Sequence, residues 1–72
     1  MSLKDNLKRI RKLKNISQRE LAEQISVTPA YIALIETGSR KNPSLEVLQR
    51  ISQALEVNIS DLLGDYQSKQ SL

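Results

Sequence analysis

The 72-residue sequence predicts an all-α fold made of five short helices. Apolar residues recur three and four positions apart along most of the chain, which is the spacing of a buried helix face. Side chains that cap helices precede these stretches, and Gly38 and Gly64 follow two of them. The alternation of apolar and polar residues that is typical of a half-buried strand is absent from the sequence.

The first helix begins near the N-terminus and ends at about residue 14. Its predicted core face consists of Leu3, Leu7, Ile10 and Leu13. Lys14 falls in the last turn, where a positive charge favours the negative end of the helix dipole. Asn15 then suits the left-handed conformation that ends many helices.

The second helix is short and has a clear start. Ser17 is its predicted N-cap, and Glu20 three positions later completes an S-x-x-E capping box. The buried face of this helix consists of Leu21, Ala22 and Ile25.

A third helix is predicted over residues 29–37. Pro29 lacks an N–H and therefore suits the first helical position, with Thr28 as the N-cap before it. Ile32 and Ile35 face inward, and Gly38 ends the helix because it takes a positive φ without strain.

Two further helices complete the predicted fold. Ser44 caps the fourth, whose core face consists of Leu45, Leu48, Ile51 and Leu55. Asn58 or Ser60 can cap a final turn that Gly64 closes, and this turn carries Leu62 and Leu63.

Composition excludes several classes of site. The sequence contains no Cys and no His, which excludes disulfides, nearly all zinc sites and imidazole catalysis. We therefore expect no enzyme activity, no metal and no cofactor. No apolar run approaches a membrane span or a secretory signal, so a cytoplasmic location is expected. Residues 1–64 form the predicted domain, and residues 65–72 form a polar tail.

The charge is unevenly distributed. Residues 1–19 carry a net charge of +6, whereas residues 20–72 sum to −3. One interpretation is a face that attracts a polyanion, and the other is a solvated helix surface. The basic residues of the first helix other than Arg11 are candidates for long-range attraction, namely Lys4, Lys8, Arg9 and Lys12.

The second and third helices are separated by three residues, as in a helix-turn-helix unit. Ala22 is small where two helices must approach closely, and Val27 fills the turn. Ile32 and Ile35 hold the third helix against the second and fix the angle of its outer face. An ordinary helical hairpin would need the same apolar residues, but it would need neither the Thr-Pro start nor the basic loop that follows.

The blocks ISQRELAEQISVTPAYIALIETGSR and PSLEVLQRISQALEVNISDLLG resemble the Xre family, the DNA-binding domains of lambda-type phage repressors and Cro proteins. The resemblance covers most of the chain, from about Leu7 to Leu63. It implies a five-helix lambda-repressor-like domain that binds operator DNA as a homodimer, with the third helix in the major groove. Ser26 departs from the family pattern, which often has glycine there, so some strain is expected in the turn.

If the third helix enters the groove, six residues face outward and are candidates for reading bases: Thr28, Pro29, Ala30, Ala33, Leu34 and Thr37. None is Arg, Gln or Asn, so bidentate contacts with guanine or adenine are not expected from this face. The remaining contacts are apolar ones with thymine methyl groups, hydroxyl contacts, and recognition of DNA shape.

Six residues are candidates for phosphate contacts: Ser17, Gln18, Tyr31, Ser39, Arg40 and Lys41. Ser17 and Gln18 stand at the positive end of the second helix, and Gln18 is the strongest candidate by resemblance to the family. The loop after the third helix matches the phosphate-binding loop of the family. Capping for Ser17, solubility for Arg40 and Lys41, and packing for Tyr31 are the alternative roles.

The resemblance also implies an ion pair and a dimer. An Arg late in the first helix pairs with a Glu near the end of the third in this family, and Arg11 and Glu36 match those positions. Apolar residues at the C-terminal end are candidates for the dimer surface or, alternatively, for the monomer core: Val57, Ile59, Leu62 and Leu63.

The resulting hypothesis is a regulator of transcription, most simply a repressor, that binds double-stranded DNA with an inverted-repeat operator. A restriction–modification controller and an antitoxin fall in the same class. A protein-interaction module that keeps the fold but has abandoned DNA is the alternative from a different class. No small-molecule effector is evident from the sequence.

Overall fold

The computed structural model describes residues 2–64, which form five α-helices. They are α1 Leu3–Leu13, α2 Gln18–Ile25, α3 Pro29–Thr37, α4 Leu45–Leu55 and α5 Ile59–Leu63. These described residues contain no strand, and the all-α prediction with five helices is confirmed. The predicted polar tail over residues 65–72 lies outside the described part.

Helices α2, α3 and α4 each begin at a residue whose hydroxyl group caps the helix. The Ser17 hydroxyl accepts a hydrogen bond from the Glu20 backbone N–H at 3.0 Å, and the Glu20 carboxylate accepts one from the Ser17 N–H at 2.8 Å. This is the reciprocal capping box that the sequence predicts. At the start of α3 the Thr28 hydroxyl accepts a hydrogen bond from the Tyr31 backbone N–H, and at the start of α4 the Ser44 hydroxyl accepts one from the Val47 N–H, in both cases without the reciprocal bond.

The last helix begins after Asn58, so Asn58 rather than Ser60 occupies the N-cap position. The Asn58 backbone N–H donates to the Asp61 carboxylate at 3.0 Å. One of the donor groups at the start of α5 is thereby satisfied by a side chain of the helix itself.

Each of helices α1 to α4 is followed within two residues by a residue with positive φ. Asn15 and Gly38 have φ values of 59° and 86°, as their residue types predict. Ser26 has φ 63° at the end of α2, which is the strained conformation expected where the family often has glycine. Glu56 ends α4 with φ 59°, and nothing in its side chain indicates this conformation in advance.

The core joins all five helices. Its largest fully buried aliphatic side chains are Leu7, Leu21, Ile32, Ile35, Ile51, Leu55 and Leu62. Helix α3 packs against both α1 and α2, whereas α4 packs against α2 and α5. Because α3 contacts its neighbours along one side, its opposite side is left at the surface of the domain.

The prediction that Leu13 and Leu45 belong to the core is wrong. Leu13 is 71% exposed and Leu45 is 62% exposed, although each continues the apolar spacing of its helix. Leu13 is the last residue of α1 and Leu45 the first of α4, and the core does not cover these terminal turns. Spacing along one helix cannot show where the neighbouring helices end.

Asn6 is a buried polar residue that the apolar pattern of α1 does not reveal. It is 1% exposed, and its side-chain Nδ2 donates to the backbone oxygen of Leu62 at 3.0 Å. Buried amides require such partners, so this bond both satisfies Asn6 and joins α1 to α5. Within residues 2–64, none of the helices has the length and apolar character needed to cross a membrane.

Candidate nucleic-acid interface

The turn between α2 and α3 is closed by backbone and apolar contacts. The N–H of Val27 donates to the carbonyl of Ala22 at 2.9 Å, and the half-buried Val27 side chain packs against the core. The left-handed Ser26 reverses the chain just before it. These contacts fix the direction in which α3 leaves the turn.

Helix α3 has a buried inner face and an accessible outer face. Ile32 is completely buried and Ile35 is 1% exposed. On the outer face, Ala33 is half-buried, and the other five candidates for base reading are exposed: Thr28, Pro29, Ala30, Leu34 and Thr37. The fold therefore leaves all six of these side chains accessible to a ligand.

Arg11 of α1 holds the inner side of α3 through a charged contact. Its Nε lies 2.7 Å from Oε2 of Glu36, and its Nη2 donates to Oε1 of Glu36 at 3.0 Å. Its Nη1 also donates to the carbonyl of Ile16 at 2.8 Å. A bidentate guanidinium–carboxylate pair has a fixed geometry, so α3 is fixed relative to α1.

Gln18 is the third member of this network, a role that its position in the sequence does not predict. Its Nε2 donates to Oε1 of Glu36 at 3.0 Å, so the carboxylate joins α1, α2 and α3. No sequence pattern pairs residues 18 positions apart on different helices. The available signal was the position of Gln18 in the first turn of α2, next to the helix that carries Glu36.

The ionisation of Glu36 reflects two opposing effects. Burial of the carboxylate raises its pKa, whereas hydrogen bonds from Arg11 and Gln18 and the positive charges of Arg11 and Lys8 lower it. The lowering effects prevail, and the pKa of Glu36 lies below its ordinary value. Glu36 is therefore ionised at neutral pH, and its charge is neutralised inside the domain.

Basic and hydroxyl side chains are grouped at the C-terminal end of α3. The Arg40 guanidinium lies over the Tyr31 ring, 5.2 Å from its centroid, and the Arg40 backbone N–H donates to Leu34 at 3.0 Å. The Thr37 hydroxyl donates to the Ser39 hydroxyl at 3.2 Å. The loop after α3 is thus anchored to the helix, and Ser39, Arg40 and Lys41 are exposed.

The arrangement of α2 and α3 is shared with known proteins. A family described as "Helix-turn-helix" matches residues 7–62 of the chain. The chain belongs to the helix-turn-helix family. Its predicted Xre character agrees with its relatives, which include regulators of the phage-repressor type.

Three relatives of this helix-turn-helix chain are transcriptional or control proteins. The regulator SinR of Bacillus subtilis is 37% identical over 59 residues, and the immunity repressor of Bacillus phage phi105 is 35% identical over 65 residues. These alignments cover 82% and 90% of the chain but only 53% and 44% of the relatives, so the chain spans about half their length. The control protein C.MunI of Mycoplasma sp. is 38% identical over 66 residues, which cover 90% of the chain and 88% of that protein.

Solved structures share the helix-turn-helix fold. The structure of SinR in complex with DNA has a TM-score of 0.79 at 35% identity, covering 83% of the chain and 95% of that protein chain. Hydroxypropylphosphonic acid epoxidase from S. wedmorenis has a TM-score of 0.81 at 27% identity. This second likeness covers 86% of the chain but only 32% of the epoxidase, so it concerns a minor part of that protein.

The C-terminal candidates for a dimer surface divide into two groups. Leu62 is completely buried in this helix-turn-helix domain, which agrees with the alternative that it belongs to the monomer core. Val57, Ile59 and Leu63 are half-buried. Part of each of these three side chains is accessible at the α5 end of the domain.

Proposed function

We propose that this chain binds double-stranded DNA sequence-specifically and regulates transcription, most simply as a repressor, through the domain formed by residues 1–64. In this proposal α3 lies in the major groove. The observation that carries it is the division of α3 into a buried, locked inner face and an accessible outer face. The folded core does not require the exposed apolar surface of Leu34, which is 45% exposed.

The charges around α3 favour a polyanionic ligand. The one carboxylate of the helix, Glu36, is turned inward and paired with Arg11, so it does not repel phosphates from the outer face. The loop that follows supplies the exposed cations Arg40 and Lys41. Duplex DNA presents a dense row of phosphates that such cations can neutralise.

Base recognition in this proposal is largely apolar. Ala30, Ala33 and Leu34 contact thymine methyl groups, and Thr28 and Thr37 offer hydroxyl groups to base edges. Pro29 fills space beside Thr28. Because no amide or guanidinium lies on this face, the rest of the specificity comes from the shape and deformability of the operator.

Phosphate contacts position the domain on the duplex. Their proposed donors are Ser17, Gln18, Tyr31, Ser39, Arg40 and Lys41. The capping box already uses the Ser17 backbone N–H, so its contribution would come from the hydroxyl. The Gln18 amide gives one hydrogen to Glu36, and the second hydrogen of the same nitrogen can bind a phosphate.

We further propose that the chain binds as a homodimer through its C-terminal end, where Val57, Ile59 and Leu63 are half-buried. A two-fold axis relates the two copies in this arrangement, so the operator is an inverted repeat. The two half-sites are then about one helical turn of DNA apart.

Selection of bound duplexes from a random library tests the proposal. The expected result is an inverted repeat with thymines at the positions that face α3. A selected site with invariant guanines at these positions would contradict the thymine-based recognition. Failure to enrich any duplex would overturn DNA binding itself and favour the protein-interaction module.

A control-protein role is the second candidate, because the similarity to C.MunI extends over 88% of that protein. Control of this kind includes activation as well as repression. A reporter gene placed behind the selected operator separates the two roles. Repression at every protein level supports the repressor, whereas activation at low protein level supports the controller.

A further inference from the structure

The structure assigns a phosphate site to a basic cleft formed by Lys4, Arg40 and Lys41, next to the C-terminal end of α3. We infer that this cleft holds a backbone phosphate of the bound duplex. The inference rests on the proposed DNA binding and adds Lys4 of α1 to the contacts expected from the loop after α3. It extends the contact surface from the loop after α3 to the first turn of α1.

The cleft lies between the start of α1 and the end of α3. Its lining comprises Ser2, Leu3, Lys4, Ile35, Thr37, Gly38, Arg40 and Lys41. Three of these residues are cations, and none of the described lining residues is acidic. Three like charges that share one cleft repel one another unless an anion lies between them.

Lys4 reaches this cleft by crossing the backbone at Gly38. A Cβ placed on Gly38 would lie 3.1 Å from Cδ and 3.7 Å from Nζ of Lys4. The methylene groups of Lys4 therefore pack against Gly38, which has no side chain, and the ammonium group lies near the C-terminal end of α3. Gly38 serves two purposes here, since its φ of 86° also ends the helix.

The neighbouring cation is held in place as well. Arg40 stacks on Tyr31 and donates its backbone N–H to Leu34. The Arg40 side chain therefore loses less freedom when it binds an anion, because part of its ordering is already achieved in the unbound domain. A pre-ordered cation beside a second cation is a suitable receptor for a phosphate group.

Lys4 has an alternative role, in which it stabilises the domain without contacting DNA, and experiment can distinguish this role from a phosphate contact. Helix α3 carries no basic residue in its own last turn. In the alternative role, Lys4 does no more than balance the negative end of the α3 dipole. That role affects the melting temperature but leaves the salt dependence of DNA binding unchanged. The number of phosphate contacts, in contrast, sets the slope of log K against log salt concentration.

The test is the salt dependence of binding to a selected duplex by the full chain and its variants. For Lys4→Gln we expect a slope less negative by about 0.9 per domain, and about eightfold weaker binding at 0.1 M salt. Lys4→Arg should retain the wild-type slope. Lys14→Gln is the matched control, since it removes one exposed charge just after α1 at a residue that does not line the cleft, and it should leave the slope unchanged.

Each outcome has a clear consequence. A wild-type slope for Lys4→Gln, with normal duplex binding, overturns this inference and leaves the proposed function intact. Wild-type protein that fails to bind any duplex overturns both. Inorganic phosphate provides a separate probe at constant ionic strength: a Gly38 amide resonance that moves with millimolar phosphate but not with the duplex assigns the cleft to a free anion and overturns the inference.

Discussion

Arg11 and Glu36 are 25 positions apart in the sequence, yet their side chains form a bidentate ion pair with N–O distances of 2.7 and 3.0 Å. Each residue is only 8% exposed. The pair connects α1 to the helix that is proposed to enter the DNA groove. Its loss is therefore expected to affect both stability and binding.

Replacing Arg11 by alanine should destabilise the domain by about 3–5 kcal/mol, because Glu36 would remain as a buried charge without its partner. DNA affinity should fall as well, because α3 loses its anchor. Thermal and denaturant unfolding measure the effect. Arg50→Ala is the matched control, since its pair with Glu46 is exposed and should contribute less than about 1 kcal/mol. An unchanged melting temperature for Arg11→Ala would refute a stabilising role for the buried pair.

Stability should fall at acidic pH through Glu36. Its ordinary pKa is 4.5, and the pKa in the folded domain is lower, so the unfolded chain binds the proton first as pH decreases. The stabilisation from this group is complete above about pH 4.5 and is lost as pH falls through the folded pKa. Unfolding free energies of wild-type protein and Glu36→Gln should therefore converge towards acidic pH. A difference that stays constant with pH would contradict this assignment.

Replacing Ser26 by glycine should stabilise the domain by about 0.5 kcal/mol. The left-handed conformation at φ 63° costs a side-chain residue about 1 kcal/mol or more, and the greater chain entropy of glycine offsets part of the gain. Denaturant unfolding of both proteins would measure this difference in the free energy of unfolding. Glu56→Gly makes the same change at φ 59° outside the helix-turn-helix unit and should behave alike, whereas Ser26→Ala retains the strain. A less stable Ser26→Gly variant would show that the serine hydroxyl compensates for the strain.

Mutations on the outer face of α3 should reduce DNA binding, whereas mutations on its buried face should reduce stability. Leu34→Ala removes a side chain that is 45% exposed, so it should weaken duplex binding about tenfold or less while the melting temperature changes little. Ile32→Ala removes a fully buried side chain of the same helix and should cost about 2–5 kcal/mol of stability. Binding assays and thermal melts on both variants make the comparison. Normal duplex affinity for a folded Leu34→Ala variant would remove Leu34 from the proposed interface.

The positions of helices were predictable because their ends depend on neighbouring residues. The Ser17–Glu20 capping box, the Thr28-Pro29 start of α3 and the left-handed Gly38 each involve bonds or torsions within a few positions. Such interactions form in the same manner wherever the segment is placed. The exposed outer face of α3 also followed from the periodicity of its apolar residues.

Sequence alone determined the five helices and the helix-turn-helix unit, because capping and apolar periodicity are local properties of the chain. Tertiary structure decided which terminal leucines lie outside the core, how Asn6 reaches Leu62, and that Gln18 joins the pair formed by Arg11 and Glu36. It also placed Lys4 across Gly38. These contacts join residues far apart in the chain, and their formation depends on the packing angle and length of whole helices, which no local pattern specifies.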